Sequence, residues 1–169
     1  AEGMITGVQI DSRRVKPGDL FVAIKGEKSD GHNFIDMAAS LGAAAALVER
    51  PVKASIPTIL VPDTVKAYGD LAAARRERMG VTVIGITGSV GKTTTKEMTA
   101  CMLERTYRTA RTEGNHNNNI GLPMTILDMP DDTETAVLEL GMNHFGEMAR
   151  LTSIAKPDIA VITNIGTMH

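Results

Sequence analysis

Hydrophobic and polar positions divide the chain into two blocks. In the first, from Val8 to about Gly80, short apolar runs alternate with turn residues. Leu20-Phe21-Val22-Ala23-Ile24 is a strand-length run, bracketed by Pro17-Gly18-Asp19 and by Lys25-Gly26-Glu27. The stretch from Asn33 to Leu41 has helical spacing, and Gly42 is placed to end it. Ala44-Ala45-Ala46-Leu47-Val48 and Thr58-Ile59-Leu60-Val61 predict two more strands, separated by a turn containing Pro51 and Pro57. Asp63-Thr64 can cap a helix running from Val65 to about Arg78. Residues 1–80 therefore read as a small α/β domain.

The second block, residues 81–169, opens on Val81-Thr82-Val83-Ile84-Gly85-Ile86-Thr87, a continuous apolar strand of the kind buried on both faces of a parallel sheet. A glycine loop and a helix from about Lys92 to Arg105 follow. Further strands are expected at Tyr107–Ala110, Thr135–Glu139 and Asp158–Thr163, with helices near Ile120–Leu127 and Glu147–Ile154 between them. Strands alternating with helices specify an α/β fold with a parallel sheet and right-handed crossovers. The chain stops on a strand-end loop, Asn164 to His169, so the expectation is a truncated sheet with an open edge, prone to association.

Composition narrows the function classes. The chain is 43% hydrophobic and 22% charged with a formal net charge of −2, which gives no bulk electrostatic attraction to nucleic acid or anionic membrane. Aromatic residues make up 3% and there is no Trp, so stacking platforms for single-stranded nucleic acid are lacking. The dense basic run Arg75-Arg76-Glu77-Arg78 falls near a helix end and reads as solvated charge complementing the helix dipole. One cysteine, Cys101, excludes an internal disulfide framework and reads as a core residue. No apolar run approaches the roughly 20 residues of a membrane span, and Ala1–Gly7 lacks the features of a signal peptide. A cytoplasmic location is expected.

Gly88-Ser89-Val90-Gly91-Lys92-Thr93-Thr94 lies between the buried strand and its helix. Glycines let successive N–H groups converge on phosphate oxygens, and the helix start adds partial positive charge. Lys92 can reach β- and γ-phosphates, and the Thr93 hydroxyl can bind Mg²⁺. Ile86 stands where the strict Walker pattern has glycine, so the motif is the shorter G-x-x-G-K-T-T. The reading is a nucleoside triphosphate site, with ATP and Mg²⁺ as cofactors.

Such a site needs an acid at the end of a neighbouring strand. Glu139 stands there; it is either a metal-site acid or an acid facing solvent at a strand–loop junction. The run Gly114 to Pro123 carries Asn115, Asn117, Asn118 and Asn119, which suit either ligand recognition or a turn. His116 within it reads as solvent-facing, and Asn143–Glu147 as a loop capping a helix. His169, taken alone, reads as incidental.

Thr87 to Met98 resembles the ATP loop of the Mur ligases. Gly114–Pro123, Glu139–Asn143 and Asn164–His169 resemble the same family in the same order. So does the first block, from Asp11-Ser12-Arg13-Arg14-Val15 through Pro17–Ala23 to Asp30-Gly31-His32-Asn33-Phe34-Ile35. Lys96-Glu97-Met98 and the asparagine segment are most similar to the branch that adds D-alanyl-D-alanine to UDP-N-acetylmuramoyl-tripeptide.

The resemblance implies an ATP-dependent ligase of peptidoglycan precursors, working through an acyl phosphate that the incoming amine attacks. It implies Lys92 on the transferring phosphoryl group, Thr93 and Glu139 on one magnesium, and His169 on a second. Asn117 and Asn118 would contact nucleotide or substrate. Ser12 and Arg13 would meet the UDP end of the substrate, although Arg13 can also pair with Asp11. Family members continue into the rest of the ATPase domain and a C-terminal domain, so the present chain is expected to be inactive alone and monomeric when full length. Another Mur-type ligase, or a non-catalytic ATP-binding module, are the alternative readings.

Overall fold

In the computed structural model, which describes residues 5–27 and 29–166, the chain separates into two units, residues 1–68 and 69–169. The first is built on four parallel strands lying side by side in chain order: β1 (Gly7–Gln9), β2 (Asp19–Val22), β3 (Ala45–Val48) and β4 (Thr58–Leu60). β2 and β3 are buried on both faces, which is why they read as unbroken apolar runs. β1 escaped sequence reading because three mixed residues carry no periodicity. The expected helix over Asn33–Leu41 is split into a 3-10 turn, Gly31–Phe34, and helix α1, Ile35–Ser40. Asp30 causes the early start, since its carboxylate accepts the N–H of His32. Gly42 ends the helix at a φ of 97°, a conformation that favours glycine. Ile35 and Ala38 of α1 pack on Phe21, Ala23, Ala46 and Val48 to form the core.

A polar chain ties this unit together at the carboxyl ends of β2 and β3. The buried ring of His32 donates from Nδ1 to Asp30 Oδ1 at 2.6 Å, while Nε2 accepts the Glu49 N–H at 2.9 Å. Accepting at Nε2 fixes the neutral tautomer with its proton on Nδ1. The Glu49 carboxylate in turn accepts from both the N–H and the hydroxyl of Thr64, each at 2.8 Å, where helix α2 (Thr64–Met79) begins. Asp63 also caps α2, accepting the Lys66 N–H at 2.8 Å.

Helix α2 is shared by the two compact units, which divide between Tyr68 and Gly69. The physical reason lies in the two ends of the helix. Its first turn is held by Glu49, whereas Ala72 and Met79 join the core of the second unit.

The second unit contains β5 (Thr82–Thr87), α3 (Lys92–Leu103), β6 (Thr109–Arg111), α4 (Gly121–Asp128), β7 (Thr135–Glu139), α5 (Glu147–Ala155) and β8 (Ile159–Ile162). Its strands are parallel in the order β6-β7-β5-β8. Alternate residues of β5 and β7 face opposite layers. Val83, Ala136 and Leu138 meet Leu122 and Ile126 of α4, Leu151 and Ile154 of α5, and Ala72 of α2. Ile84, Ile86 and Val137 meet Ala100 of α3. The α/β class with parallel sheets is as expected, and no helix among the described residues is long and apolar enough to cross a membrane.

Two expectations are corrected. Cys101 is exposed, not in the core. The buried stripe of α3 runs through Lys96 and Ala100, four residues apart, and Cys101 lies one residue round the helix from it. The basic run at the end of α2 is only partly solvated. Arg75 donates to the Met129 carbonyl, and Arg76 donates to the Ala155 and Lys156 carbonyls and pairs with Asp158 at 2.7 Å. These arginines cap neighbouring segments, including the end of α5. At the sheet edge, β8 pairs with β5 and leaves Ile159 and Ile162 53% and 60% exposed.

The N–H and ring of His32 beside Asp30, aided by Arg50, hold the Asp30 carboxyl well below the usual carboxylate range. A depressed pKa means that the ionised form stabilises the fold above about pH 4 and that this contribution is lost as the pH falls. Asp30→Asn is therefore expected to lower the thermal midpoint at pH 7. The gap from the unaltered chain should narrow between pH 4 and lower values. A gap independent of pH across a series of melts would refute the assignment.

Candidate functional site

Adjacent strands β5 and β7 send their following segments to opposite faces of the sheet, α3 to one and α5 to the other. Such a divergence leaves a crevice at the carboxyl ends of the strands, the place where open α/β sheets bind ligands. A cavity of about 390 Å³ occupies it. Gly88, Ser89 and Lys92 line it from the β5 side, and Gly141, Met142 and Asn143 from the β7 side. Asn115, Asn117 and Asn118 close it from the segment before α4. Among the described residues of this lining Lys92 is the one cation and none is an acid, a setting suited to an anionic ligand.

The loop is shaped by its glycines. Gly91, at a φ of 84°, precedes the first residue of α3. Gly88, at a φ of 135°, passes so close to Thr163 that a side chain there would collide with it. The Thr163 hydroxyl donates to the Val90 carbonyl at 2.6 Å. Ser89 both accepts the Gly166 N–H at 2.9 Å and donates to the Gly166 carbonyl at 3.0 Å. The phosphate loop is thus laced to the segment after β8. The first bond of α3 runs from the Thr95 N–H to the Gly91 carbonyl, so the N–H groups of Lys92 to Thr94 are the donors a helix start leaves over.

Two groups in the loop are already occupied. Lys92 Nζ donates to the Gly88 carbonyl at 2.7 Å. The Thr93 hydroxyl donates to Glu139 Oε2 at 2.9 Å. Glu139 is only 3% exposed, so the solvent-facing alternative does not hold. Its other oxygen accepts from Asn117 Nδ2 at 2.9 Å, and its N–H donates to the Thr112 hydroxyl at 3.0 Å.

The asparagine segment both lines the cavity and forms a turn. Asn117 grips Glu139 and accepts the Gly141 N–H on its own carbonyl, at 2.8 Å. Asn118 lines the cavity, yet its Oδ1 accepts the N–H groups of Ile120 and Gly121 and so caps α4. Gly121 must lack a side chain because the His116 backbone lies against it. His116 itself is exposed. In Asn143–Glu147, the Glu147 carboxylate accepts the Asn143 and His144 N–H groups at the start of α5.

In the first unit, Ser12 is buried and its hydroxyl points to Met37 Sδ at 3.3 Å. Arg13 is 79% exposed at its side chain and forms two hydrogen bonds to Asp11, at 2.9 and 2.7 Å. That pairing, with the Arg13 N–H, holds the Asp11 carboxyl down at about 2. His169 lies outside the described residues. Sequence reasoning missed Thr112 and Thr163; single threonines at strand ends carry no pattern that marks them.

Two family profiles match the chain: "Mur ligase family, catalytic domain" over residues 4–81 and "Mur ligase middle domain" over residues 86–169. The chain belongs to the Mur ligase family. Among Mur ligases it is 48% identical to the UDP-N-acetylmuramoyl-tripeptide–D-alanyl-D-alanine ligase of Bacillus subtilis (strain 168), over 98% of this chain and 37% of that protein. It is 44% identical to the ligase of the same name from Escherichia coli (strain K12), over 100% of this chain and 37% of that one. A crystal structure of MurF from Acinetobacter baumannii superposes with a TM-score of 0.91 at 46% identity, over 98% of this chain and 37% of that one. MurF ligase from Thermotoga maritima in complex with ADP superposes with a TM-score of 0.91 at 39% identity, over 100% of this chain and 40% of that one. The chain spans a little over a third of the length of these Mur ligases.

Replacing Asn118 by alanine separates its two possible duties. Loss of the α4 cap is expected to cost about 1 kcal/mol of unfolding free energy, read by urea titration, with ADP affinity held within about twofold. A much larger loss of affinity at unchanged stability would mark Asn118 as a ligand contact instead.

Proposed function

We propose that this chain is the UDP-substrate and phosphate-loop portion of an ATP-dependent ligase that joins D-alanyl-D-alanine to UDP-N-acetylmuramoyl-tripeptide. The observation that carries the reading is the crevice between β5 and β7, where Lys92 faces a polar cavity and Thr93 meets the buried Glu139. Likeness to the ligases of that name over nearly the whole chain supports the choice of substrates.

The residues present fit a magnesium nucleotide. Thr93 and Glu139 offer hard oxygen donors side by side, and Mg²⁺ takes few protein ligands because phosphate oxygens and waters supply the rest. When bound, ATP would supply the phosphoryl group that activates the acceptor carboxylate as an acyl phosphate, and Mg²⁺ would neutralise phosphate charge. Lys92, which donates to the Gly88 carbonyl, would turn to the phosphates, joined by the N–H groups at the start of α3. Thr93 and Glu139 would hold the Mg²⁺, exchanging for it the bond they make to each other. Asn117 keeps Glu139 oriented during that exchange. Ser89 and Thr163 hold the loop to the segment that leads to His169, which we assign as a donor that would hold a second magnesium. Met142 and Asn143 line the cavity from the β7 side, where the acceptor end of the substrate would lie.

Residues 1–80 are assigned to the UDP end of the substrate, with Ser12 and Arg13 as contacts, and residues 81–169 to ATP. Contact with a diphosphate would exchange the Asp11 partner of Arg13 for a stronger anion. We assign the reaction to the cytoplasm, where ATP is at hand. The whole protein acts as a monomer.

The whole protein should release phosphate from ATP only when the tripeptide substrate and D-alanyl-D-alanine are both supplied, and the 169-residue chain alone should not ligate. Lys92→Met is expected to lower kcat/KM by about 10²–10³-fold. Turnover with a single amino acid in place of the dipeptide would assign a different ligase of the family, and failure to form an acyl phosphate would leave an ATP-binding module. Calorimetric titration of the chain with UDP-N-acetylmuramoyl-tripeptide should show binding that UDP-glucose does not match and that Arg13→Ala weakens about tenfold. Equal binding by Arg13→Ala would remove Arg13 from the substrate site.

A further inference from the structure

One turn into α3 from Lys92 stands a second lysine, Lys96, whose side chain is 1% exposed. It is too deep to meet a ligand in the crevice, and it does not line the cavity. A buried ammonium is costly unless its donors are met by well-placed acceptors. Lys96 Nζ donates to the Thr112 carbonyl at 2.6 Å and pairs with Glu97 at 2.8 Å.

Thr112 is itself fully buried and is fixed on three sides. Its N–H continues the β6–β7 ladder to the Val137 carbonyl at 3.1 Å, its carbonyl takes the Lys96 ammonium, and its hydroxyl accepts the Glu139 N–H at 3.0 Å. Thr112 also begins the segment that brings Asn117 back to the Glu139 carboxylate. Lys96 therefore reaches the acid by two routes. One passes through the Thr112 hydroxyl to the Glu139 backbone, the other along the chain from Thr112 to the Asn117 amide. Because Lys96 and Thr93 sit on the same helix, the bond to Thr112 also sets the distance between the Thr93 hydroxyl and the Glu139 carboxylate.

We propose that Lys96 is a positioning residue for the magnesium donors: it locks Thr112 to α3 so that Thr93 and Glu139 stay aligned, and it makes no contact with phosphate. The inference rests on the ATP and Mg²⁺ reading of the crevice, but not on the identity of the amine that is ligated.

The test is a titration of the whole protein with ADP, with and without Mg²⁺, for the unaltered protein and for Lys96→Met, Lys96→Gln and Thr112→Val. Lys96→Met keeps the buried stem and removes the donor. It should reduce the factor by which Mg²⁺ tightens ADP binding about tenfold, with metal-free ADP binding within twofold of the original. Lys96→Gln retains an N–H for the Thr112 carbonyl and should recover at least half of the loss on a logarithmic scale. Thr112→Val cuts only the route through the hydroxyl and should reproduce part of the Lys96→Met defect. Should Lys96→Met fail to fold, as judged by circular dichroism, the other two variants decide: an unchanged Mg²⁺ factor in Thr112→Val overturns the proposal. Weaker metal-free ADP binding in folded Lys96→Met also overturns it, since that marks a phosphate contact. If the unaltered protein binds ADP with no response to Mg²⁺, the metal reading of the crevice falls with it. If Mg²⁺ responds as expected while D-alanyl-D-alanine is not ligated, the substrate assignment alone falls.

Discussion

A carboxylate at the closed end of an apolar strand loses several kcal/mol of hydration on burial, and this molecule places Glu139 there at 3% exposure. The crevice is built around the donors that make such burial tolerable. Asn117 comes from the segment before α4 and Thr93 from the start of α3, each giving one hydrogen bond to a different carboxylate oxygen. The acid thereby gathers three separate pieces of chain at one point. If either donor moved, an oxygen would be left buried without a partner, so the loop geometry and the acid sustain each other.

Sheet order makes this meeting possible. β5 and β7 are neighbours, with Ile86 beside Glu139, although some fifty residues separate them in sequence. Parity along β7 then points Glu139 to the same side as Val137, toward α3 and its first turn. An acid one residue earlier would have faced α4 and α5. The same parity explains why the strand reads as apolar up to its last residue, since Ala136 and Leu138 serve one layer and Val137 the other.

Much of this could be read from the chain. Long strands such as Val81–Thr87 and helices such as α2 announce themselves through apolar runs and caps, and the glycine loop stands between a strand and a helix as phosphate chemistry requires. What stayed hidden depends on contacts between distant segments. Cys101 belongs to an apolar-looking helix, but the depth of each residue is fixed by one stripe through Lys96 and Ala100. The arginines ending α2 look like solvated charge, yet carbonyl groups near Met129 and Ala155 recruit them. Asn117 and Asn118 are adjacent and identical, and only the fold assigns one to an acid and the other to a helix start.

The two lysines of α3 show how one helix face can serve two purposes. Four residues apart, Lys92 and Lys96 project from the same side, but the first stands at the rim of the crevice and the second beneath the sheet edge. Lys92 satisfies itself on Gly88 and Thr93 on Glu139. On the proposed reading, binding a nucleotide would exchange the bonds of Lys92 and Thr93 and add those of the N–H groups at the start of α3. Such an exchange works only if the released partners stay where they were. A neutral carbonyl such as that of Gly88 is held by its own backbone, but a freed carboxylate in a dry site turns toward any donor within reach. Holding Glu139 by its backbone N–H, through Thr112, anchors it in a way that does not depend on what its oxygens bind.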